Sequence, residues 1–386
     1  MNWWHKIKRL FLAETAPTRS ALPVQSQAIE IARVLCIMGM VYAHVWTGRT
    51  SAYIIAHSTT DQGMLRWFVV EMIGRSSVPL LGMVSGWLVG SSALRRSYWR
   101  FALGKARTVL APMLLWNALA VFLILGAAYL QIIRGPGWKG WGWVLGEVTA
   151  FSRFNELNVQ MPFLRDLFVC MLIAPLVVRL RSAWLIVLLM TVLVWTVATW
   201  FFPLVLRPQV ALFFVIGIAA RRWGWADYVG RMPFGLAALP FLLLAPVKFA
   251  LSVWGYYFGR EEVEIVTAVE MAMRVSAAML MWRISMALVG KPIAIPIMRI
   301  EPYAFLLFCS HEIMIWLASQ KIGSVTGPLD APGWPIFFLL NPLLVLCGTL
   351  VLGKLLVELA PWAANWLSGG RLNGRPAKTH LIAQAV

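Results

Sequence analysis

Two ionisable side chains stand at the ends of an otherwise apolar stretch near the start of the sequence. The stretch RVLCIMGMVYAH runs from Arg33 to His44. In an α-helix this spacing puts both side chains on one face, about 16 Å apart along the axis. Ionisable groups are costly in hydrocarbon, so they are functional candidates where a membrane span contains them. Taken singly, Arg33 could extend its side chain to the lipid headgroups, and His44 could form a hydrogen bond with a neighbouring carbonyl. The presence of both side chains on one helix face favours a functional role.

A second stretch, SVPLLGMVSGWLVG, adds a hydroxyl and small residues to these candidates. Its Ser85 and Gly86 permit close packing between helices, or else they line a cavity beside the first helix. Just before it, Glu71 and Arg75 have the i,i+4 spacing of a helical ion pair. The two charges either neutralise each other, or Glu71 orients an imidazole, as a carboxylate does beside a catalytic histidine.

The following segment, RRSYWRFALGKARTVLAPMLLWN, is rich in lysine and arginine. We predict a cytoplasmic loop that ends near Pro112, with Arg96, Lys105 and Arg107 as its candidate ligand-binding residues. Membrane topology alone accounts for such a segment. The same side chains also suit a phosphate-rich cytosolic ligand, because guanidinium and ammonium groups bind phosphates.

Further ionisable residues lie in apolar stretches later in the chain. Asp166 stands beside Arg165, and Glu270 lies four residues before Arg274. We interpret both as buried pairs, with the lining of a substrate path as the alternative. His311, in the stretch EPYAFLLFCSHEIMIW, is either a core histidine or a residue of the site.

Composition assigns the chain to the membrane proteins. Of 386 residues, 60% are hydrophobic and 13% are charged, and the mean hydropathy is +0.74. Soluble domains have roughly 25% charged residues. The 4 cysteines are scattered singly and predict neither a disulfide framework nor a zinc site, so we expect no metal.

We predict an all-α polytopic fold with ten membrane-spanning helices, because runs of about 20 apolar residues match the thickness of the hydrocarbon core. The sixth run is short, and charges interrupt the first and the fourth. The ten runs cover residues 28–47, 66–90, 108–131, 161–179, 183–202, 207–220, 233–252, 264–286, 300–318 and 335–358.

The orientation follows from the lysine and arginine residues near the ends of these runs. With the N-terminus inside, 19 of them flank the inner face and 8 flank the outer face. Both termini are therefore predicted to be cytoplasmic, and the net charge of +18 reflects topology, not nucleic-acid binding. We divide the chain into an interfacial N-terminal segment (1–27), a transmembrane domain (28–358) and a cytoplasmic tail (359–386).

These motifs together resemble the bacterial acyltransferase-3 superfamily of membrane acyltransferases over residues 25–358. Arg33 and His44 match its first-helix pattern of an arginine, ten residues and a histidine. The chain departs from the family next to Met83, where an aromatic residue is usual, and at Pro162, where a tryptophan is usual. The other similar stretches are SVPLLGMVSG, KARTVLAPMLLW, MPFLRDLFVCMLIAP, RPQVALFFVIGI and EPYAFLLFCSHEIMIW.

The resemblance implies a stand-alone enzyme of the bacterial inner membrane that transfers an acyl group, usually acetyl, from cytoplasmic acyl-coenzyme A. The acceptor is expected to be a hydroxyl of an extracytoplasmic glycan, such as an exopolysaccharide, a lipopolysaccharide or a lipid-linked repeat unit. Its expected partners are this glycan, the lipid bilayer and the polysaccharide assembly machinery.

The resemblance and the residue patterns described above together predict roles for the candidate residues. His44 is the general base or the transient acyl acceptor, and Glu71 orients it. Arg33 holds the donor, and Ser85 beside Gly86 donates to the thioester oxygen. The remaining candidates contact the donor phosphates (Arg96, Lys105, Arg107) or the acceptor (Asp166, His311).

Two rival interpretations suit a polytopic chain with buried charges. A transporter or flippase for a glycan or lipid-linked intermediate would show repeat symmetry and helices broken by glycine and proline in matching halves. The sequence shows neither clearly. Other membrane O-acyltransferase families also use an intramembrane histidine, but they place it in a late span with a separate asparagine.

Overall fold

The computed structural model describes residues 23–95, 97–151, 155–198, 202, 204–258 and 263–372, and all regular structure within these ranges is helical. Short π-helical segments join α3 to α4 (Val69–Gly74), α5 to α6 (Ala106–Leu110) and α14 to α15 (Ile315–Ser319). The α-helices are α1 Pro23–His44, α2 Ser51–Ala56, α3 Asp61–Phe68, α4 Arg75–Ser92, α5 Tyr98–Lys105, α6 Ala111–Tyr129, α7 Trp141–Thr149, α8 Met161–Arg179, α9 Ser182–Val197, α10 Pro208–Trp223, α11 Trp225–Arg231, α12 Phe234–Phe258, α13 Val263–Leu288, α14 Ala294–Met314, α15 Gln320–Thr326, α16 Trp334–Leu359 and α17 Pro361–Leu367.

Eight helical runs among the described residues are long and apolar enough to cross a membrane. This confirms a polytopic all-α fold. The fifth and sixth predicted spans correspond to α9 and α10, which have 16 residues each and are not among the eight. The count of ten spans and the cytoplasmic termini therefore stay predictions. The eight runs are Val24–His44, Asp61–Ser92, Tyr98–Tyr129, Met161–Arg179, Phe234–Val253, Glu264–Leu288, Ala294–Thr326 and Trp334–Leu359.

Helix α10 is short because both of its ends are marked by special residues and its middle is covered by protein. Pro208 occupies its first turn, where a missing N–H costs nothing. Gly224 ends it in the left-handed conformation, with φ of +71°. Phe213 and Phe214 are buried within the bundle. Neighbouring helices thus shield its backbone from lipid, which removes the need for a longer apolar run.

Helices α4 and α10 cross at a pair of glycines. A Cβ atom on Gly86 would overlap the carbonyl of Phe214, and one on Gly217 would overlap the carbonyl of Met83. Each glycine therefore lets the facing backbone approach, as small residues do in membrane helix pairs. This contact supports the packing interpretation of Gly86 and leaves no space beside its Cα for a ligand.

The basic segment after α4 differs from its prediction as a loop. Its residues form helix α5, which continues through the π-helical segment Ala106–Leu110 into α6. Pro112 lies in the first turn of α6, where proline is tolerated, so it does not end the basic segment. Arg96 lies outside the described residues.

Part of the segment assigned to the tail is also helical and docks against the transmembrane domain. The indole N–H of Trp116 on α6 donates to the carbonyl of Leu367, which ends α17, at 3.0 Å. Arg371 donates to the carbonyl of Thr108 at 3.0 Å. These contacts hold residues 361–372 beside the basic end of α5 and α6.

Gly86→Val tests the glycine crossing. Overpacking against a backbone carbonyl is expected to lower the free energy of unfolding by about 1–3 kcal/mol or more. The control is Gly126→Val on α6, where a Cβ atom meets nothing within 4 Å. Thermal unfolding in detergent, followed by size-exclusion chromatography, should show a lower midpoint for Gly86→Val alone. Equal midpoints would contradict the close crossing.

Candidate active site

Helices α1 and α14 are joined by two ionic contacts. About midway along α1, Nη1 of Arg33 lies 3.0 Å from Oε1 of Glu301. At the C-terminal end of α1, Nδ1 of His44 lies 3.5 Å from Oε2 of Glu312. Both histidine and arginine were predicted from the sequence, whereas neither glutamate was.

The two contacts put α1 and α14 side by side in a common register. Glu301 and Glu312 are separated by the same number of residues as Arg33 and His44. The earlier residue of α1 pairs with the earlier residue of α14, so the two helices run parallel, and the equal spacing puts the two contacts about 16 Å apart on both. The predicted topology gives the same result, since the first and ninth spans both run outwards.

A second imidazole completes the group at His44. The ring centroids of His44 and His311 are 5.4 Å apart. Nδ1 of His311 lies 3.1 Å from the carbonyl oxygen of Leu307 and 2.9 Å from that of Phe308. Carbonyl oxygens only accept, so Nδ1 carries the proton and Nε2 bears the lone pair. Nε2 has no hydrogen-bond partner within the described part of the chain.

Glu312 is the carboxylate beside His44, not Glu71. Its contact with Nδ1 at 3.5 Å is longer than an ordinary hydrogen bond. Such contacts in free enzymes commonly tighten when substrate binds. Glu312 therefore occupies the position that the sequence analysis gave to Glu71.

Glu71 instead belongs to a separate buried ionic network. It contacts Lys248 of α12 and lies 3.1 Å from Arg75. Lys248 also lies 4.0 Å from Glu270, which pairs with Arg274. The mutual neutralisation of Glu71 and Arg75 is thus observed, and Lys248 is the partner that sequence analysis missed.

The carboxylate of Asp166 is engaged in contacts within the bundle. It is fully buried and lies 3.2 Å from Arg165. Its carboxylate also accepts the backbone N–H groups of Leu206 at 3.1 Å and Arg207 at 2.9 Å. Asp166 therefore fixes the entry to α10 and forms the buried pair with Arg165, while its place on the acceptor path stays a prediction.

Ser85 and Gly86 are likewise engaged inside the bundle. The hydroxyl of Ser85 donates to the carbonyl of Leu81 at 2.8 Å, a common bond for serine within a helix. Gly86 is closed off by α10. Neither residue lines the cavity next to His44.

This cavity has a volume of about 1120 Å³ and begins at His44, whose side chain is 23% exposed. The chain segments that enclose it are the end of α1 with residues 45–50, the end of α6 with residues 130–134, and residues 316–324. His44 is therefore open to a ligand of considerable size, on the face that the topology predicts to be outside.

Arg33 lies about midway along α1, about 16 Å from His44 along the helix axis. Its side chain is 33% exposed beside Glu301. One helical turn further along α14, the guanidinium of Arg371 lies 3.8 Å from the centre of the Phe305 ring. Arg107 is exposed and stacks on Trp366, and Lys105 lies over the ring of Phe101. Arg371 was not among the residues predicted to contact the donor phosphates.

The residues at His44 also form the possible metal ligands of this site. One ligand atom from each of His44, His311 and Glu312 lies within 4.8 Å of the other two. Two imidazoles and a carboxylate suit a divalent cation. The same three groups also suit proton transfer, for which no metal is required.

Comparison with known proteins places the chain among acyltransferases. The acyltransferase-3 family model, described as an acyltransferase domain, matches residues 26–353. The succinoglycan biosynthesis protein ExoH of Rhizobium meliloti (strain 1021) is 27% identical over 376 residues, which cover 92% of this chain and 95% of that protein. No solved structure shows a significant match.

The two glutamates Glu312 and Glu71 should respond differently to loss of charge. Glu312→Gln keeps the shape of the side chain but cannot stabilise a charged imidazole, so acyl transfer should fall by roughly 10²–10⁴-fold. Glu71→Gln should lower thermal stability, because Lys248 loses an anionic partner. Transfer per folded molecule should stay near normal in Glu71→Gln. Loss of transfer in Glu71→Gln with near-normal transfer in Glu312→Gln would instead favour Glu71 as the carboxylate that assists His44.

Proposed function

The chain belongs to the acyltransferase-3 family, and we propose that it transfers an acetyl group from cytoplasmic acetyl-coenzyme A to a hydroxyl of an extracytoplasmic glycan in the bacterial inner membrane. One observation carries this proposal: the parallel pair α1 and α14 presents Arg33 with Glu301 midway along α1 and His44 with Glu312 at its C-terminal end. An exopolysaccharide acceptor is supported by the relative, which is named for succinoglycan biosynthesis.

His44 acts as the general base in the reaction that we propose. With Nδ1–H directed at Glu312, its Nε2 has a lone pair that can accept a proton. The glycan hydroxyl loses its proton to Nε2 while its oxygen attacks the thioester carbonyl. The carbon–sulfur bond then breaks, and the proton passes to the leaving thiolate of coenzyme A. A positioned base of this kind contributes roughly 10²–10⁴-fold to a rate.

The neighbouring His311 orients the acceptor. Its Nε2 can only accept a hydrogen bond, because the proton is held at Nδ1 by two carbonyls. A glycan hydroxyl that donates to this nitrogen would be held close to His44. The alternative route, in which His44 first carries the acyl group itself, uses the same lone pair.

The donor enters beside the basic residues Lys105, Arg107 and Arg371. Guanidinium and ammonium groups there suit the phosphates of coenzyme A. The thioester must then travel about 16 Å along α1 and α14 to reach His44. The long pantetheine arm of coenzyme A allows this while its phosphates remain near Arg107 and Arg371.

Sidedness provides the test of this function. Inverted vesicles loaded with glycan should incorporate label from external radiolabelled acetyl-coenzyme A and release free coenzyme A outside. Right-side-out vesicles should do neither. His44→Ala should lose at least roughly 10²-fold in rate, with normal amounts of folded protein. A chelator should leave the rate unchanged, because the mechanism uses no metal.

Three results would speak against the proposal. Transport of unlabelled glycan without release of coenzyme A would favour a transporter. Near-normal transfer by His44→Ala would remove its role as base. Labelled protein formed without acceptor, and absent from His44→Ala, would replace the direct transfer by an acyl-enzyme. Other short acyl-coenzyme A donors, offered in parallel, identify the acyl group.

A further inference from the structure

The cavity at His44 carries an unbalanced charge. Three basic residues line it, namely Arg49, Arg134 and Lys321, and no aspartate or glutamate is among its described lining residues. Ion-binding sites in proteins are commonly built by groups of one sign in a cleft, since the low-dielectric walls focus their field. An excess of positive charge inside a substrate-sized cavity favours a negatively charged ligand.

Membrane topology does not explain this cluster. The positive-inside rule depletes lysine and arginine on the outer face, and only 8 basic residues flank that face in the predicted topology. Three of those 8 line this one cavity. The convergence therefore opposes the topological trend, and it calls for a ligand-based cause.

Arg134 and Lys321 are held on adjoining walls. The side-chain amide of Gln320 accepts the backbone N–H of Arg134 at 3.2 Å and donates to its carbonyl at 3.0 Å. These two hydrogen bonds fix the loop after α6 against α15, next to Lys321. Neither Arg134 nor Lys321 forms an ion pair with any residue that the structure describes.

Arg49 contributes less of the free charge. Its Nε donates to the carbonyl of Leu329 at 3.3 Å, and its guanidinium lies 4.5 Å from the centre of the Tyr53 ring. Tyr53 in turn donates to Asp330 at 3.0 Å. The field of Asp330 offsets part of the charge of Arg49, so Arg134 and Lys321 are the main cationic groups of the cavity.

Two indole rings, Trp46 and Trp316, complete the walls. Binding sites for organic ligands commonly combine such apolar surfaces with a few polar groups that set orientation. A sugar ring offers an apolar face to an indole and hydroxyls to His44. The lining therefore combines one surface for a sugar with two cations for an anionic substituent.

We propose that this cavity binds an acidic glycan, whose carboxylate or phosphate groups contact Arg134 and Lys321 while a hydroxyl reaches His44. This inference rests on the proposed function, because it names the class of acceptor for the same site. It makes charge on the glycan, not sugar identity alone, a determinant of acceptor choice.

Binding without an acyl donor tests the inference. The full-length protein in nanodiscs of zwitterionic lipid is titrated with fluorescent oligosaccharides of equal length that are neutral, carboxylated or phosphorylated. An acidic oligosaccharide should bind more tightly than the neutral one, and its affinity should fall with salt. The carboxylated and phosphorylated forms distinguish the two sources of charge.

Variants locate the effect. Lys321→Gln and Arg134→Gln should each weaken binding of the acidic oligosaccharide by roughly two- to fivefold, as expected for exposed ion pairs, and should not change binding of the neutral one. Lys139→Gln is the matched control, because Lys139 lies in the same loop but pairs with Glu156 at 2.6 Å. It should bind normally.

Equal affinity for neutral and acidic oligosaccharides, or equal losses in Lys139→Gln and Lys321→Gln, would overturn the inference. The inference would also be overturned if Lys321→Gln changed only the amount of anionic lipid that co-purifies with the protein and left glycan binding unchanged. Transfer to a neutral acceptor in parallel separates the two proposals. Transfer without charge-dependent binding overturns only this inference, whereas charge-dependent binding without transfer overturns only the proposed reaction.

Discussion

The structure depends on how ionisable groups are balanced inside an apolar bundle. An isolated charge in such surroundings is costly, so each one requires a partner at the same depth. Helices α1 and α14 satisfy this condition twice, through Arg33 with Glu301 and His44 with Glu312. A slip of either helix by one turn would separate both pairs together. The register of these two helices is therefore set by the residues proposed to carry the chemistry.

The other buried contacts hold the bundle around this pair. The glycine crossing of α4 and α10 brings two backbones together, and Asp166 ties the start of α10 to α8. The network around Lys248 joins the π-helical segment at Glu71 to α12 and α13. None of these groups lines the cavity at His44. Their contacts join α4, α8, α10, α12 and α13 into one bundle around the proposed site.

The sequence predicted one side of the proposed site and missed the other. Arg33 and His44 share a helix, so their relation follows from helical geometry alone. Glu301 and Glu312 lie on a distant helix, and no rule of local spacing connects two helices. Their own spacing, equal to that of Arg33 and His44, was the available signal. Glu71 was assigned to His44 because its predicted depth was similar, but depth does not determine which neighbour a helix faces. Arg96 lies outside the described residues and its role stays a prediction.

Cross-linking measures the common register of α1 and α14 directly. In a variant whose four native cysteines are replaced, cysteines are introduced in pairs and treated with a short bifunctional thiol reagent in native membranes. Efficient cross-links are predicted for Arg33→Cys with Glu301→Cys and for His44→Cys with Glu312→Cys. The mismatched pairs, Arg33→Cys with Glu312→Cys and His44→Cys with Glu301→Cys, are offset by about 16 Å and should not react. Cross-linking of the mismatched pairs, or of none, would contradict the paired arrangement on which the site is built.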